Sequence, residues 1–126
     1  MRLTSEFVVS ALVRRVHGEG AFATIARRGD ATAGAIFVLV DGLNGEVALY
    51  GPAPPMTDEV VHPIDAALTG NRLFASVDLA DMSSDGPLDR SMAERYLERQ
   101  AVFDPDLWIV DIEDRDRRAF VPVVRA

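Results

Sequence analysis

Gly34-Ala35-Ile36-Phe37-Val38-Leu39-Val40 contains no polar side chain. A strand with one wet face alternates polar and apolar positions. An unbroken apolar run rich in β-branched residues therefore reads as a central strand covered on both faces. The rest of the chain has to supply those covers. At 126 residues, 48% hydrophobic and 26% charged, it has the length of one domain, 1–126, with both a core and a solvated skin.

Upstream of that run, Thr4 or Ser5 is placed to cap a helix whose apolar positions include Phe7, Val8, Ala11, Leu12 and Val16, with Gly18 and Gly20 ending it. Phe22 to Arg28 reads as a strand and Gly29 to Ala33 as a turn. The pairs Asp41-Gly42 and Asn44-Gly45 turn the chain into a third strand, Glu46 to Tyr50, giving an antiparallel meander. Three prolines within residues 52–55 stop it, because proline cannot donate to a ladder. Asp65 to Leu68 reads as a single helical turn, the alternation from Arg72 to Leu79 as a fourth strand, and Asp81 to Pro87 as a polar loop.

A second helix is expected over Leu88 to Val102. Met92, Tyr96, Leu97 and Phe103 form its inner stripe, with Glu94, Arg95, Glu98 and Arg99 outside. Asp104-Pro105 ends it. Leu107 to Glu113 and Ala119 to Val124 then read as a hairpin around Asp114 to Arg118. No regular βαβ alternation appears. The expected class is α+β: an antiparallel sheet of five to six strands with two helices packed on one face.

Composition removes several functions. The absence of cysteine excludes disulfides, thiolate zinc sites and a cysteine nucleophile. His17 and His62 are too few for a three-histidine metal site. A net charge of −7 opposes nonspecific binding to nucleic acid. No apolar run approaches a membrane span, and in the N-terminal region the positive charge follows the apolar stretch instead of preceding it, so a cytoplasmic, acidic protein is expected. The basic residues are all arginine: residues 1–28 hold five against two acidic residues, and the remainder holds eight against 18. That asymmetry suits either internal complementarity or a local cationic patch.

The candidate binding residues are Arg27, Arg28, Tyr50, Asp111 and Glu113. Arg27 and Arg28 are neighbours on a strand, so they point to opposite faces; each suits an ion pair, and each is also a natural phosphate clamp. Asp111 and Glu113 lie two apart on one strand face, about 7 Å between Cα atoms. Such a pair repels until one proton is retained, holds a hard cation with help from Asp104, Asp106 or Asp114, or pairs with Arg27 or Arg28 across the sheet. Tyr50, before Gly51-Pro52, is placed to face a groove. Gly18-Glu19-Gly20-Ala21-Phe22-Ala23 spells a dinucleotide fingerprint, but it follows a helix and precedes a strand, the reverse of what a pyrophosphate site needs. No catalytic residue, metal ligand set or cofactor is assigned.

Read together, Arg2 to Glu6, Gly20 to Ala23 running into Arg27 to Asp30, Ala33 to Val38, Leu49 to Ala53, and Phe103-Asp104-Pro105-Asp106-Leu107-Trp108 continuing to Arg115 resemble the family called domain of unknown function 1491, small proteins found mainly in alphaproteobacteria. The resemblance implies a single bacterial domain and brings no activity with it. Two functions follow as expectations. The first is a non-enzymatic interaction module, a homodimer or the binder of another protein. The alternative is a binding protein or small enzyme for a phosphorylated metabolite, using arginine and the carboxylate pair. Nucleic acid and membrane are not expected partners, and whether the chain is an enzyme is left open.

Overall fold

The computed structural model describes residues 3–54, 60–62, 66–79 and 89–124. Helix α1 (Ser5–Gly18) opens the chain, and Thr4 is its N-cap, the side-chain oxygen accepting from the Phe7 N–H at 3.2 Å. Strands β1 (Phe22–Arg27), β2 (Ile36–Asp41) and β3 (Val47–Pro52) follow. Next come β4 (Val60–His62), a 3-10 turn at Ala66–Thr69, and β5 (Phe74–Ser76). Helix α2 (Arg90–Phe103), β6 (Trp108–Glu113) and β7 (Val123–Val124) complete the described chain. The loop expected over Asp81 to Pro87 lies outside the described residues.

The class is α+β, with one seven-stranded sheet in the order β1-β6-β2-β3-β5-β7-β4. It is mixed, not purely antiparallel: β6 runs parallel to β2, and β7 parallel to β5. The β2–β3 pairing is the expected antiparallel one. Two local expectations fail for a common reason. β6 is inserted between β1 and β2, so the meander is interrupted and β6 has a neighbour on each side. No edge of β6 is left for a hairpin. The chain from Asp114 onward instead crosses the sheet, burying Ala119, Phe120 and Val121 before β7 pairs with β5 and β4.

The helices cover opposite faces, correcting the expectation that both pack on one. Along β2, Ile36, Val38 and Val40 join the cluster formed by Val8, Val9, Leu12 and Val16 of α1. The intervening Phe37 and Leu39 join Met92, Ala93 and Leu97 of α2. β6 divides in the same way, with Trp108, Val110 and Ile112 toward α1 and Leu107 and Ile109 toward α2. Side chains alternate across a strand, so a run apolar at every position needs two covers, and each helix supplies one. Phe103, expected on the inner stripe of α2, is 84% exposed. It is the last residue of α2, past Ala101, where the cluster beneath the helix ends.

Two loops seal the end of the sheet where β2 and β6 begin. The Asp30 N–H donates to Asp106 O at 2.9 Å, the Trp108 N–H to Ala35 O at 2.7 Å, and the Trp108 indole N–H to Asp30 O at 2.7 Å. A Cβ on Gly29 or Gly34 would lie 2.1 or 2.2 Å from Asp106 O, so only glycine admits this approach. Buried Ser5 donates to Gly34 O at 2.6 Å, and Arg72 donates to Ser5 Oγ at 2.6 Å and to Leu3 O at 3.1 Å. The start of α1 is thereby tied to the same seal.

Candidate functional site

Asp111 sits in the middle of β6 on the α2 side, opposite Thr24 of β1 and Leu39 of β2. Its partner is Arg90, not Arg27 or Arg28. Asp89 caps α2 by accepting the Met92 N–H at 3.1 Å, which sets Arg90 in the first helical turn over the sheet. The Arg90 guanidinium donates to both Asp111 oxygens, to Asp41 at 3.1 Å and to Glu94 at 2.7 Å. One cation thus meets three carboxylates, and hydrogen bonding to Asp111, ahead of every other influence, raises its pKa above an already high value. The arrangement pins the start of α2 to the end of β2 and the middle of β6. It carries no surplus positive charge to offer an anion.

Arg27 and Arg28 do face opposite sides. Arg28 lies over the Trp108 ring, 5.1 Å from its centroid, and makes an exposed 3.4 Å ion pair with Glu6 of α1. Arg27, beyond an irregularity in β1 between Ile25 and Arg27, turns toward α2 and donates Nη2 to Pro105 O at 2.9 Å. Its Nε is buried and has no hydrogen-bond partner among the described residues. Tyr50 is 6% exposed in the α1-side core, so it is a packing residue there, and burial raises the pKa of its phenol. Glu113 parts from Asp111: it is exposed opposite Phe22, on the rim of a shallow depression that also includes Leu43 and Asp116.

Asp104, Asp106 and Asp114 serve backbone. Asp104 accepts the Asp106 N–H at 3.2 Å, and Asp114 accepts the Arg118 N–H at 2.8 Å and its guanidinium at 3.0 Å. The Arg118 hydrogen bond holds the Asp114 carboxyl below its usual pKa. Among the described residues no group of three or more His, Asp or Glu side chains is arranged to hold a metal ion. The glycine-containing stretch Gly18 to Ala23 joins the end of α1 to the start of β1, so no helix N-terminus faces it.

Two other concavities bear on these residues. A cavity of about 510 Å³ at the sealed end is lined by Asp30, Gly34, Arg72, Asp104 and Asp106 among others. Much of its polar lining is already engaged in the loop contacts above. The second, about 390 Å³, is a groove between α2 and β1. Leu39, Leu97, Ala101 and Ile109 make its apolar floor, with Arg27, Arg90, Glu94 and Glu98 around it.

This groove opens onto an unpaired strand edge. Among the described residues β1 pairs with β6 alone, on one side. At Ala23 the edge is covered by His17, whose Nε2 lies 3.2 Å from the Ala23 N and 3.0 Å from its O, and whose ring stacks on Phe22. From Thr24 to Arg27 no such cover is seen among the described residues. Phe22 and Leu43, 53% and 52% exposed, flank the start of β1. Val102 and Phe103, 80% and 84% exposed, end α2. Leu43 also adopts φ 62°, left-handed backbone that a leucine rarely takes.

Neither the edge nor Arg90 emerged from sequence reasoning. Arginine in a first helical turn opposes the helix dipole, and that was the available signal for a carboxylate partner nearby. The edge depends on strand order, which one sequence does not reveal. Among the described residues, no helix is long and apolar enough to cross a membrane.

No match was found among curated proteins. Among solved structures, the chain is similar to a DUF1491 family protein from Caulobacter crescentus CB15, at 36% identity, with 98% of each chain covered and a TM-score of 0.71. It is similar also to a protein from A. tumefaciens solved in solution, at 35% identity over 100% of this chain and 98% of that one, with a TM-score of 0.73. The family model described as "Protein of unknown function (DUF1491)" matches residues 3–122. The sealing loops, Asp30 to Ile36 and Asp104 to Trp108, fall within that match, and with it the chain belongs to the DUF1491 family.

Proposed function

We propose that this protein is a non-enzymatic interaction module whose docking surface is the open edge of β1 with the groove beside it. The observation that carries the reading is the edge from Thr24 to Arg27, uncovered among the described residues, with exposed Phe22 and Leu43 at its start and an apolar groove floor beside it. Unpaired strand edges are templates for another strand, and proteins that do not use them normally cover or charge them. Among the described residues His17 covers Ala23 alone, and exposed Phe22 and Leu43 stand at the start of the edge where charges would discourage association. The phosphorylated-metabolite reading is weaker, because Arg90 is surrounded by three carboxylates and Arg28 is engaged with Glu6 and Trp108.

Photo-cross-linking in lysate, from a benzoylphenylalanine placed at Thr24 or Ala26 and with the linked peptides mapped by mass spectrometry, tests the reading. Links to a protein partner are expected from these two positions and not from the same group at Phe7 on α1, and Phe22→Asp should weaken them. Equal linking from Phe7, or links that persist unchanged in the variant, would contradict it.

A further inference from the structure

Resting on that reading of the β1 edge, we infer that its occupant is an extended segment of another protein that adds to β1 as a short strand. Its face toward α2 carries a basic, an apolar and an acidic side chain at alternate positions, with the acidic one at Arg27. The backbone groups that receive it are those of Ile25. His17 meets both the N and the O of Ala23, so Ala23 directs its backbone away from β6. That direction recurs two residues on, at Ile25. The β1–β6 pairing is irregular between Ile25 and Arg27, which keeps a regular added strand short. On the α2 side of β1, Thr24 and Ala26 are small and exposed, so a side chain of the added strand can lean across them into the groove.

Main-chain pairing gives an added strand its hold, and the groove selects its side chains. Arg27, half-buried on the β1 wall, donates to Pro105 O and has no carboxylate partner among the described residues. Arg90 is the opposite case, one cation among three carboxylates. The groove therefore has an acidic end level with Thr24, which stands opposite Asp111, and a cationic end past Ile109, toward Pro105. Its lining holds two arginines against three carboxylates, so a free phosphate gains at Arg27 and is repelled by the rest. A chain segment carrying both signs satisfies both ends. Asp111 and Ile109 are two apart on β6, and Arg27 reaches beyond Ile109. The charged positions of the occupant are thus more than one alternate step apart, with an apolar side chain between them over Leu97 and Ile109. Positions i, i+2 and i+4 of a strand span about 13 Å and supply that spacing.

Panning a phage-displayed library of random dodecapeptides on the full chain tests the inference. Enriched peptides are expected to carry a basic, an apolar and an acidic residue at alternate positions. A synthetic copy of one should slow hydrogen exchange of the Ile25 amide when it binds. Against Arg27→Glu the acidic position should turn basic, and the original peptide should bind roughly tenfold or more weakly. Arg27→Gln should lose the selection for an acidic residue without gaining one for a basic residue, and thermal melting should show both variants folded. No enrichment, sequences that ignore both Arg27 variants, or peptides that bind without protecting Ile25 would overturn the inference. So would a dimer in sedimentation equilibrium with Ile25 already protected, which gives the edge to a second copy. If Thr24 and Ala26 photo-cross-link to a partner while no Arg27-dependent peptide is selected, this occupant is refuted and the interaction surface stands. Absence of both would remove both.

Discussion

On the α1 side of the sheet, Val8, Val9, Leu12 and Val16 are at most 1% exposed and press on Trp108, Val110 and Ile112, which are no more accessible. On the α2 side the helix buries Met92, Ala93 and Leu97, leaves a groove beside β1, and ends on Val102 and Phe103 at 80% and 84% exposure. The α1 layer is held by aliphatic packing and by loop backbones in direct contact. The α2 layer is held by a smaller apolar strip and a charged clamp at its start. A shortfall in coverage beside an unpaired strand is where a partner has surface to gain; a closed layer offers little. The contrast separates residues that make the fold from residues available to use it.

The hardest blow to the closed side is Trp108→Ala, which removes a fully buried indole and its hydrogen bond to Asp30 O. A loss of about 3–5 kcal/mol in chemical denaturation is expected, and a loss comparable to a surface change would break the comparison. Gly34→Ala comes next. Its Cβ meets the backbone oxygen of Asp106, which no side-chain rotation relieves, and a loss of about 3 kcal/mol is expected from the forced backbone shift. Truncating the clamp with Arg90→Ala should cost about 1–2 kcal/mol, since the guanidinium is partly solvated. Hydrogen exchange should show that loss concentrated in α2 and scarcely felt in α1.

Smaller effects sharpen the contrast. Hydrogen bonding to Arg118 depresses the folded-state pKa of Asp114, so its contribution to stability is present above the ordinary carboxylate range and is lost as the pH falls through the lower folded value. Melting temperatures followed downward from pH 5 should therefore fall more steeply for the wild type than for Asp114→Asn. Leu43→Gly relieves left-handed backbone at an exposed position and should change stability by less than about 1 kcal/mol, in the stabilising direction.

Much of the closed side was legible in the chain itself. The spacing of Val8, Leu12 and Val16 marks α1, Thr4 marks its cap, and the apolar run through β2 demands covers on both faces. What local pattern does not carry is the assignment of each helix to a face, since a helical stripe is the same whichever side of the sheet it meets. The charged stretch Asp114 to Arg118 suits a hairpin turn as well as the start of a crossover. Only the insertion of β6 between β1 and β2, a contact between distant parts of the chain, decides between them. The same insertion sets Asp111 on the strand beside β1, lining one groove with Arg27, but Arg90 in the first turn of α2 takes its carboxylate. Asp111 and Glu113 share a strand face as their spacing requires, yet Asp111 is held by Arg90 and Glu113 is left on the rim near Phe22.

Amide hydrogen exchange of the wild-type protein tests the central claim most directly. The amides of α1 and β6, packed in the closed layer, should exchange slowest, and those of α2 and of Ile25 to Arg27 on the open edge of β1 should exchange markedly faster. Exchange in α2 and at the β1 edge as slow as in α1 would contradict the account.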